Sequence, residues 1–251
     1  MLGIERRRKI MERLNLDKRV YVNELSTFFH VTEETIRRDL EKLESQDLLR
    51  RSYGGAVLNE HTNEDLSFIK RTTINSGDKS VIADKAISLI EDGDTIMIDS
   101  STTCLALMQH LKQKRDLTII TNSIRLINDF VNSPFTMISS GGVLRANSFA
   151  LTGASACDTL RKYYVDVSII SCKGLDREKG LMESNEAESS IKQIMLQQAK
   201  RTILLADHSK FSKTAFIKTC DFSDLAAIVT DINPGEVWAE FLAKQQVRLI
   251  Y

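Results

Sequence analysis

The sequence lacks most of what marks a secreted, metal-binding or membrane protein. Its four cysteines, Cys104, Cys157, Cys172 and Cys220, are far apart and form no C-x-x-C pair. That excludes a disulfide framework and a zinc site of ordinary spacing, and the thiols read as buried groups in a reducing compartment, with a cytoplasmic location expected. The four histidines are equally scattered, so no metal site and no cofactor are expected. No apolar run reaches the roughly 18–20 residues of a membrane span. "MLGIERRRK" has no apolar stretch behind it, so no signal peptide is expected either. Net charge is also missing, because 34 Lys and Arg balance 34 Asp and Glu. Residues 1–58 hold 12 basic against 10 acidic side chains. A nucleic-acid reading must therefore rest on where charges stand rather than on their total.

What is present is an ordinary globular composition, 42% apolar and 27% charged over 251 residues. That length suits a small domain joined to a medium one. Residues 4–50 read as short helices. Ile10, Met11 and Leu14 make one stripe, and Asn23 is a candidate N-cap for a second helix with Leu25, Phe28 and Phe29 inward. Thr32 caps a third, whose apolar stripe is Ile36, Leu40 and Leu43 and whose first turn carries Glu33 and Glu34. "DLLRR" and "GAVL" then flank "SYGG" as a hairpin. Three helices and a terminal hairpin within sixty residues describe a winged helix-turn-helix.

Taken alone, "TEETIRRDLEKLES" is a solvated face of i, i+4 ion pairs. A short preceding helix, a tight "HV" turn, paired Arg37 and Arg38 near the helix start and a basic hairpin favour a recognition helix instead. Arginine's fork fits guanine O6 and N7 or a phosphate. Thr32, Glu34, Thr35, Arg37 and Arg38 are therefore candidates to face double-stranded DNA. Arg50, Arg51 and Tyr53 are candidates on the wing, with the two arginines toward backbone phosphate.

Residues 59–78 are polar and mixed, and read as a linker or a peripheral strand. From residue 79 onward, β-rich runs ("TIMID", "LTIIT", "FTMISS", "VDVSIIS", "RTILLAD", "AAIVT", "VRLIY") alternate with helical stretches at 79–91, 103–111, 154–162, 185–199 and 235–244. Continuous apolar strands separated by helices predict a mainly parallel α/β sheet covered on both faces. Ligands bind such sheets beyond the carboxyl ends of the strands. Three loops there have chemistry for an anion: Asp99, Ser100, Ser101, Thr102 and Thr103 before a helix; Asn122 and Ser123 before another; and Gly141 and Gly142 followed by Arg145. For the first loop, plain helix capping explains the residues equally well; for the second it is the simpler reading.

The stretch "RRRKIMERL…VYVNELSTFFHVTEETIRRDLEKLESQDLLRRSYGGAVL" resembles the amino-terminal domain of DeoR-family transcriptional regulators. The family's signature is carried by "TIRRDLEKLE" and then L-x-R-x-x-GGA. Tyr53 departs from it, since many members have His before the glycine pair. "DSSTT", "TNS", "GGVLR" and "LLADHSKF" are similar to the family's sensor domain, so the likeness covers nearly the whole chain. It implies a winged helix-turn-helix in residues 1–58, its helix-turn-helix proper near Val20 to Asp39, and an effector-sensing α/β domain in 79–251 resembling sugar-phosphate isomerases. It further implies a repressor of carbohydrate-metabolism genes, homo-oligomeric and at least dimeric, controlled by a phosphorylated sugar. Ser100 to Thr103, Asn122, Ser123, Gly142 and Arg145 would hold the phosphate, with Lys79, Lys173, Asp176, Glu186 and Lys210 at the rim. The competing reading is an isomerase-like enzyme with an accessory domain. Against it, Ser171 and Cys172 stand where such an enzyme would carry a carboxylate, and no His supports a Ser or Cys nucleophile at motif spacing. A third reading, a helical module that binds another protein, predicts that Arg37 and Arg38 are dispensable.

Overall fold

The computed structural model describes residues 3–45, 49–57, 62 and 65–251. It divides into two compact units, residues 1–64 and 65–251. Of the expected linker, residues 59–61, 63 and 64 lie outside the described residues, whereas 65–78 fold with the second unit.

The first unit runs α1 (Gly3–Asp17), β1 (Arg19–Tyr21), α2 (Val22–Phe29), α3 (Glu33–Ser45), β2 (Arg50–Ser52) and β3 (Gly55–Val57). The three strands form an antiparallel sheet in the order β1-β3-β2. Ile10, Leu14, Leu25, Phe29, Ile36, Leu40 and Leu43 close its core, joined by Val20, Val22, Leu49 and Ala56. Two local expectations need correction. Helix α2 begins at Val22 with Tyr21 as N-cap, and Asn23 accepts from the Glu24 N–H inside the first turn. Phe28 lies on the surface, edge-on to Phe29, with the Arg13 guanidinium 4.8 Å from its ring centroid. An aromatic at i+3 from Leu25 falls at the margin of the apolar stripe, and a cation covers it there.

In the second unit all seven apolar runs are strands of one parallel sheet. After α4 (Phe68–Thr73) and α5 (Ser76–Ala86), the chain alternates β4 (Thr95–Ile98), α6 (Thr102–Leu111), β5 (Thr118–Thr121), α7 (Ile124–Asp129) and β6 (Thr136–Ser139). A hairpin, β7 (Val143–Arg145) and β8 (Ala150–Thr152), leads through α8 (Ala154–Leu160) to the long β9 (Val165–Ser171). Then follow β10 (Gly174–Asp176), β11 (Gly180–Glu183), α9 (Glu186–Gln197), β12 (Ala199–Leu205), β13 (Ile217–Cys220), β14 (Ala227–Val229), α10 (Glu236–Lys244) and β15 (Arg248–Ile250). The main sheet order is β15-β14-β12-β9-β4-β5-β6, every neighbour parallel. Strands β10, β11 and β13 form a small antiparallel sheet of their own.

Alternation along the strands feeds two cores. Met97, Ile170, Leu204 and Ile228 meet Leu160, Ile191, Met195 and Trp238 on one face. Ile96, Ile98, Ile169 and Leu205 meet Ile82, Leu107, Met108 and Leu126 on the other. Both faces being covered explains why the strands read as unbroken apolar runs. The chain builds outward from β4 through β5 and β6, then returns to the other side of β4 with β9. The β4–β9 boundary is thus the topological switch point, the place in such sheets where a crevice opens at the carboxyl ends.

Candidate functional site

In the first unit, α3 rests its apolar stripe on the core, and its orientation is fixed by a buried ion pair. The Asp39 carboxylate accepts from Arg6 Nε at 2.5 Å and from Arg7 Nη1 at 3.1 Å. Asp39 sits in the signature, but its partners lie over thirty positions away on α1, and nothing in the spacing announced them. Thr32 caps α3 as expected, its Oγ1 accepting the Thr35 N–H at 3.3 Å. Arg37 and Arg38 are exposed and each pairs one turn back: Arg37 Nη2 with Glu33 Oε2 at 2.6 Å, Arg38 Nε with Glu34 Oε1 at 3.2 Å. The i, i+4 pairs of the plain-surface reading therefore do form. Exposed pairs of this kind are worth about 0.3–0.5 kcal/mol, so a phosphate or a guanine edge can replace the glutamate readily.

The wing places Tyr53, fully exposed, at its tip, with Gly54 at φ 81°. Gly55 serves a different need: a Cβ there would stand 2.0 Å from the Val20 carbonyl oxygen, so β3 can approach β1 only without a side chain. Arg50 is exposed. Arg51 is tied to the end of α3, since Glu44 accepts its backbone N–H at 2.9 Å and its Nε at 2.6 Å. The backbone and side-chain hydrogen bonds from Arg51 hold the Glu44 carboxyl below the usual carboxylate range.

In the second unit, the three candidate loops leave β4, β5 and β6 at the same edge of the parallel sheet. Asp99, Ser100, Ser101, Thr102 and Thr103 are all buried. Ser101 caps α6 by accepting the Cys104 N–H at 3.1 Å, and Ser123 caps α7 by accepting the Leu126 N–H at 3.2 Å. Both serines thus do the capping work that the plainer reading assigned them. Asn122 donates Nδ2 to the Leu151 carbonyl, and its buried Oδ1 has no partner among the described residues. Gly141 adopts φ 62° in open space, while Gly142, at φ 112°, lies against β8 so closely that a Cβ would meet the Thr152 carbonyl at 2.5 Å. An apolar depression lined by Ile124, Ile127, Val131 and Leu151 flanks α7 but includes none of the charged candidates.

At the switch point lies a buried ionic cluster that the sequence reading only half named. Lys192, on α9, donates to the Ser171 carbonyl at 2.7 Å, pairs with Asp99 Oδ2 at 3.2 Å and contacts Glu183 Oε1. Asp99 also accepts the Ser101 N–H at 2.8 Å and the Ser171 N–H at 2.9 Å. Burial alone would raise the Asp99 carboxyl, but Lys192 and these hydrogen bonds hold it below the carboxylate range. Burial would lower Lys192, but Glu183, Asp99 and Glu188 push it up, so it stays protonated. Burial raises Glu183 against the pull of Lys192. The thiols of Cys104 and Cys172 are pushed well up by burial and are poor nucleophiles.

Arg145 is half-buried, with Nη1 bonded to Glu188 Oε1 and Ser148 Oγ, both at 3.1 Å, and Nη2 to Asp65 Oδ2. Two of the expected rim residues have other work. Lys79 donates to the Arg71 carbonyl at 2.5 Å and the Ile74 carbonyl at 2.6 Å, stapling the end of α4, and burial lowers its pKa to about 8. Asp176 accepts the backbone N–H groups of Glu178 and Lys179 within its own turn. Glu186 is exposed, whereas Glu183 and Glu188, which the sequence did not single out, are buried. Lys173, half-buried after β9, and Lys210, after β12 and near Asp207, remain at the carboxyl edge.

Residues 6–62 match the DeoR-like helix-turn-helix domain, and residues 74–232 match the DeoR C-terminal sensor domain. The chain belongs to the DeoR family. As a DeoR-family protein it is a DNA-binding transcriptional regulator and not an enzyme. Among its relatives, the HTH-type transcriptional regulator YulB of Bacillus subtilis (strain 168) is 38% identical over 95% of this chain and 93% of its own length. The HTH-type transcriptional repressor GlcR of the same organism is 34% identical over 98% and 95%. The L-fucose operon activator of Haemophilus influenzae (strain ATCC 51907 / DSM 11121 / KW20 / Rd) is 36% identical over 88% and 89%. A solved structure, ribose 5-phosphate isomerase A from Methanocaldococcus jannaschii, covers 55% of this chain and 55% of its own, at 16% identity and a TM-score of 0.42. That is a distant likeness of part of the fold and of nothing else. Among the described residues no helix is long and apolar enough to cross a membrane.

Proposed function

We propose that this DeoR-family regulator is a cytoplasmic repressor of carbohydrate-metabolism genes whose second unit binds a phosphorylated sugar. The carrying observation is the convergence at one edge of the parallel sheet of hydroxyl-bearing helix starts, a glycine pair and Arg145. Phosphate needs N–H and hydroxyl donors with one cation. The unpaired Oδ1 of Asn122 suits a sugar hydroxyl, because a buried acceptor left unbonded is costly and a donor from a ligand would satisfy it. Lys173 and Lys210 add positive charge at the same edge. The repressor assignment follows GlcR and the Agrobacterium fabrum (strain C58 / ATCC 33970) transcriptional repressor AccR, 31% identical over 90% of this chain and 89% of its own, both of which are named as repressors. The fucose operon activator supports a second reading, in which the same surface recruits rather than blocks transcription.

On DNA, Arg37 and Arg38 exchange their glutamate partners for base edges or phosphate, Thr32, Glu34 and Thr35 complete the helix contact, and Arg50, Arg51 and Tyr53 meet the flanking backbone. A homo-oligomer, at least a dimer, presents two such helices to half-sites about 34 Å apart or a multiple of that. The test is a thermal-shift screen of sugar phosphates beside their unphosphorylated parents. A ligand at a hundred times its Kd stabilises the second unit by about 2.7 kcal/mol. A shift with a phosphate and none with its parent supports the reading, and the hit is then added to operator-binding assays. No shift across the panel returns the loops to helix capping alone.

A further inference from the structure

The contact that singles itself out is Asp65 on Arg145. The other groups around this guanidinium come from the sensor's own hairpin and helix: Ser148 beyond β7 and Glu188 on α9. Asp65 comes from elsewhere. It is the first residue of the second unit, and the chain just before it leads to the DNA-binding unit. Its carboxylate takes Arg145 Nη2, accepts Asn147 Nδ2 at 3.0 Å and Ser184 Oγ at 3.4 Å, and its carbonyl accepts Asn147 Nδ2 at 2.8 Å. A guanidinium, a carboxamide N–H and a hydroxyl gathered on one carboxylate are the donors that hold a phosphate oxygen.

We propose that the Asp65 carboxylate is a built-in stand-in for the effector's phosphate, occupying Arg145 until the effector displaces it and so freeing the chain segment that leads to the DNA-binding unit. This rests on the reading of Arg145 as part of the effector site and adds how that site is coupled to DNA. Displacement is favoured by charge: a phosphate monoester brings a charge of about −1.5 to −2 and three strong acceptor oxygens against the single charge of a carboxylate. It is also confined in extent. Three residues on, Phe68 is buried edge-on against Phe149, 5.6 Å between ring centroids, and Ser67 caps α4. The far end of α4 is stapled by Lys79. The helix and its Ser67 cap therefore stay docked while the residues before Ser67 let go, which makes residues 65 and 66 the hinge. Competition of this kind lowers apparent effector affinity by the fraction of molecules whose Arg145 is open.

The test uses the full chain and inorganic phosphate as probe. Phosphate affinity is measured by calorimetry for the parent, Asp65→Asn, Asp65→Ser and Arg145→Ala, each first shown to melt cooperatively. Exchange of the amides of residues 65 and 66 is followed with and without phosphate. The expected result is a phosphate Kd about tenfold lower in both Asp65 variants, loss of binding in Arg145→Ala, and faster exchange at 65 and 66 in the parent when phosphate is added. Equal Kd in the parent and both Asp65 variants, with binding still lost in Arg145→Ala, overturns the displacement and leaves the effector site standing. Absence of phosphate binding in every variant overturns both.

Discussion

Lys79 illustrates how a lone charge misleads at the scale of one residue. From the sequence it is a cation at the start of the sensor domain, ready for an anion. In the fold its ammonium closes the end of α4, buried, with its pKa lowered to about 8. Between that value and the unfolded value near 10.5 the unfolded chain binds the proton more tightly, so Lys79's contribution to stability rises with pH across that window. The expected outcome is that the melting temperature of the parent gains on that of Lys79→Met as pH goes from 7.5 to 10. Taking the difference cancels the buried thiols, which titrate with the opposite sign. The acids around the start of α9 are harder to sort from sequence, because only packing decides that Glu183 and Glu188 turn inward while Glu186 stays exposed. Arg38 and Arg51 were more legible, because a motif fixed both their type and their place. Arg38→Ala should cost about 1–3 kcal/mol in specific operator binding if it reads a base. Arg51→Ala should weaken binding to every sequence and lower the salt slope by about 1, read from titrations at several salt concentrations.

Among the elements, those with a helical period or an unbroken apolar run were readable and those with neither were not. All seven strands of the main sheet could be seen as apolar runs because a strand buried on both faces needs no alternation. Strands β7, β8, β10, β11 and β13 are only three or four residues long, and their backbone pairing rather than their composition makes them strands. Helix α4, six residues inside a polar stretch, was absorbed into the expected linker because its one buried anchor, Phe68, gives no period. The glycine pair of the wing was foreseen as a turn, but its two members differ in kind. Gly54→Ala should cost about 1–2 kcal/mol, the price of a left-handed residue. Gly55→Ala should cost at least as much, about 1–3 kcal/mol, through overpacking against β1. Urea denaturation of the parent and both variants, followed by a probe in the first unit, would compare them.

For the whole molecule, separate cores imply separate stabilities. The apolar cluster of the first unit shares no member with the two clusters of the second. Calorimetry of the full chain should show two transitions, and a bound sugar phosphate should raise only that of the sensor unit. A single transition that moves as one on ligand addition would mean that the units unfold together.

The parallel sheet also sets an order in time. The wing's strands pair Arg19 with Val57, and the unit's core draws only on residues from Ile10 to Ala56. The sensor cannot begin its central pairing, Ile96 with Val167, until the whole of β9 exists. Short-range pairings form faster than long-range parallel ones, and domains fold from the amino terminus as synthesis proceeds at about 5–20 residues per second. On the ribosome, the surface that reads DNA is therefore finished seconds before the sensor that governs it.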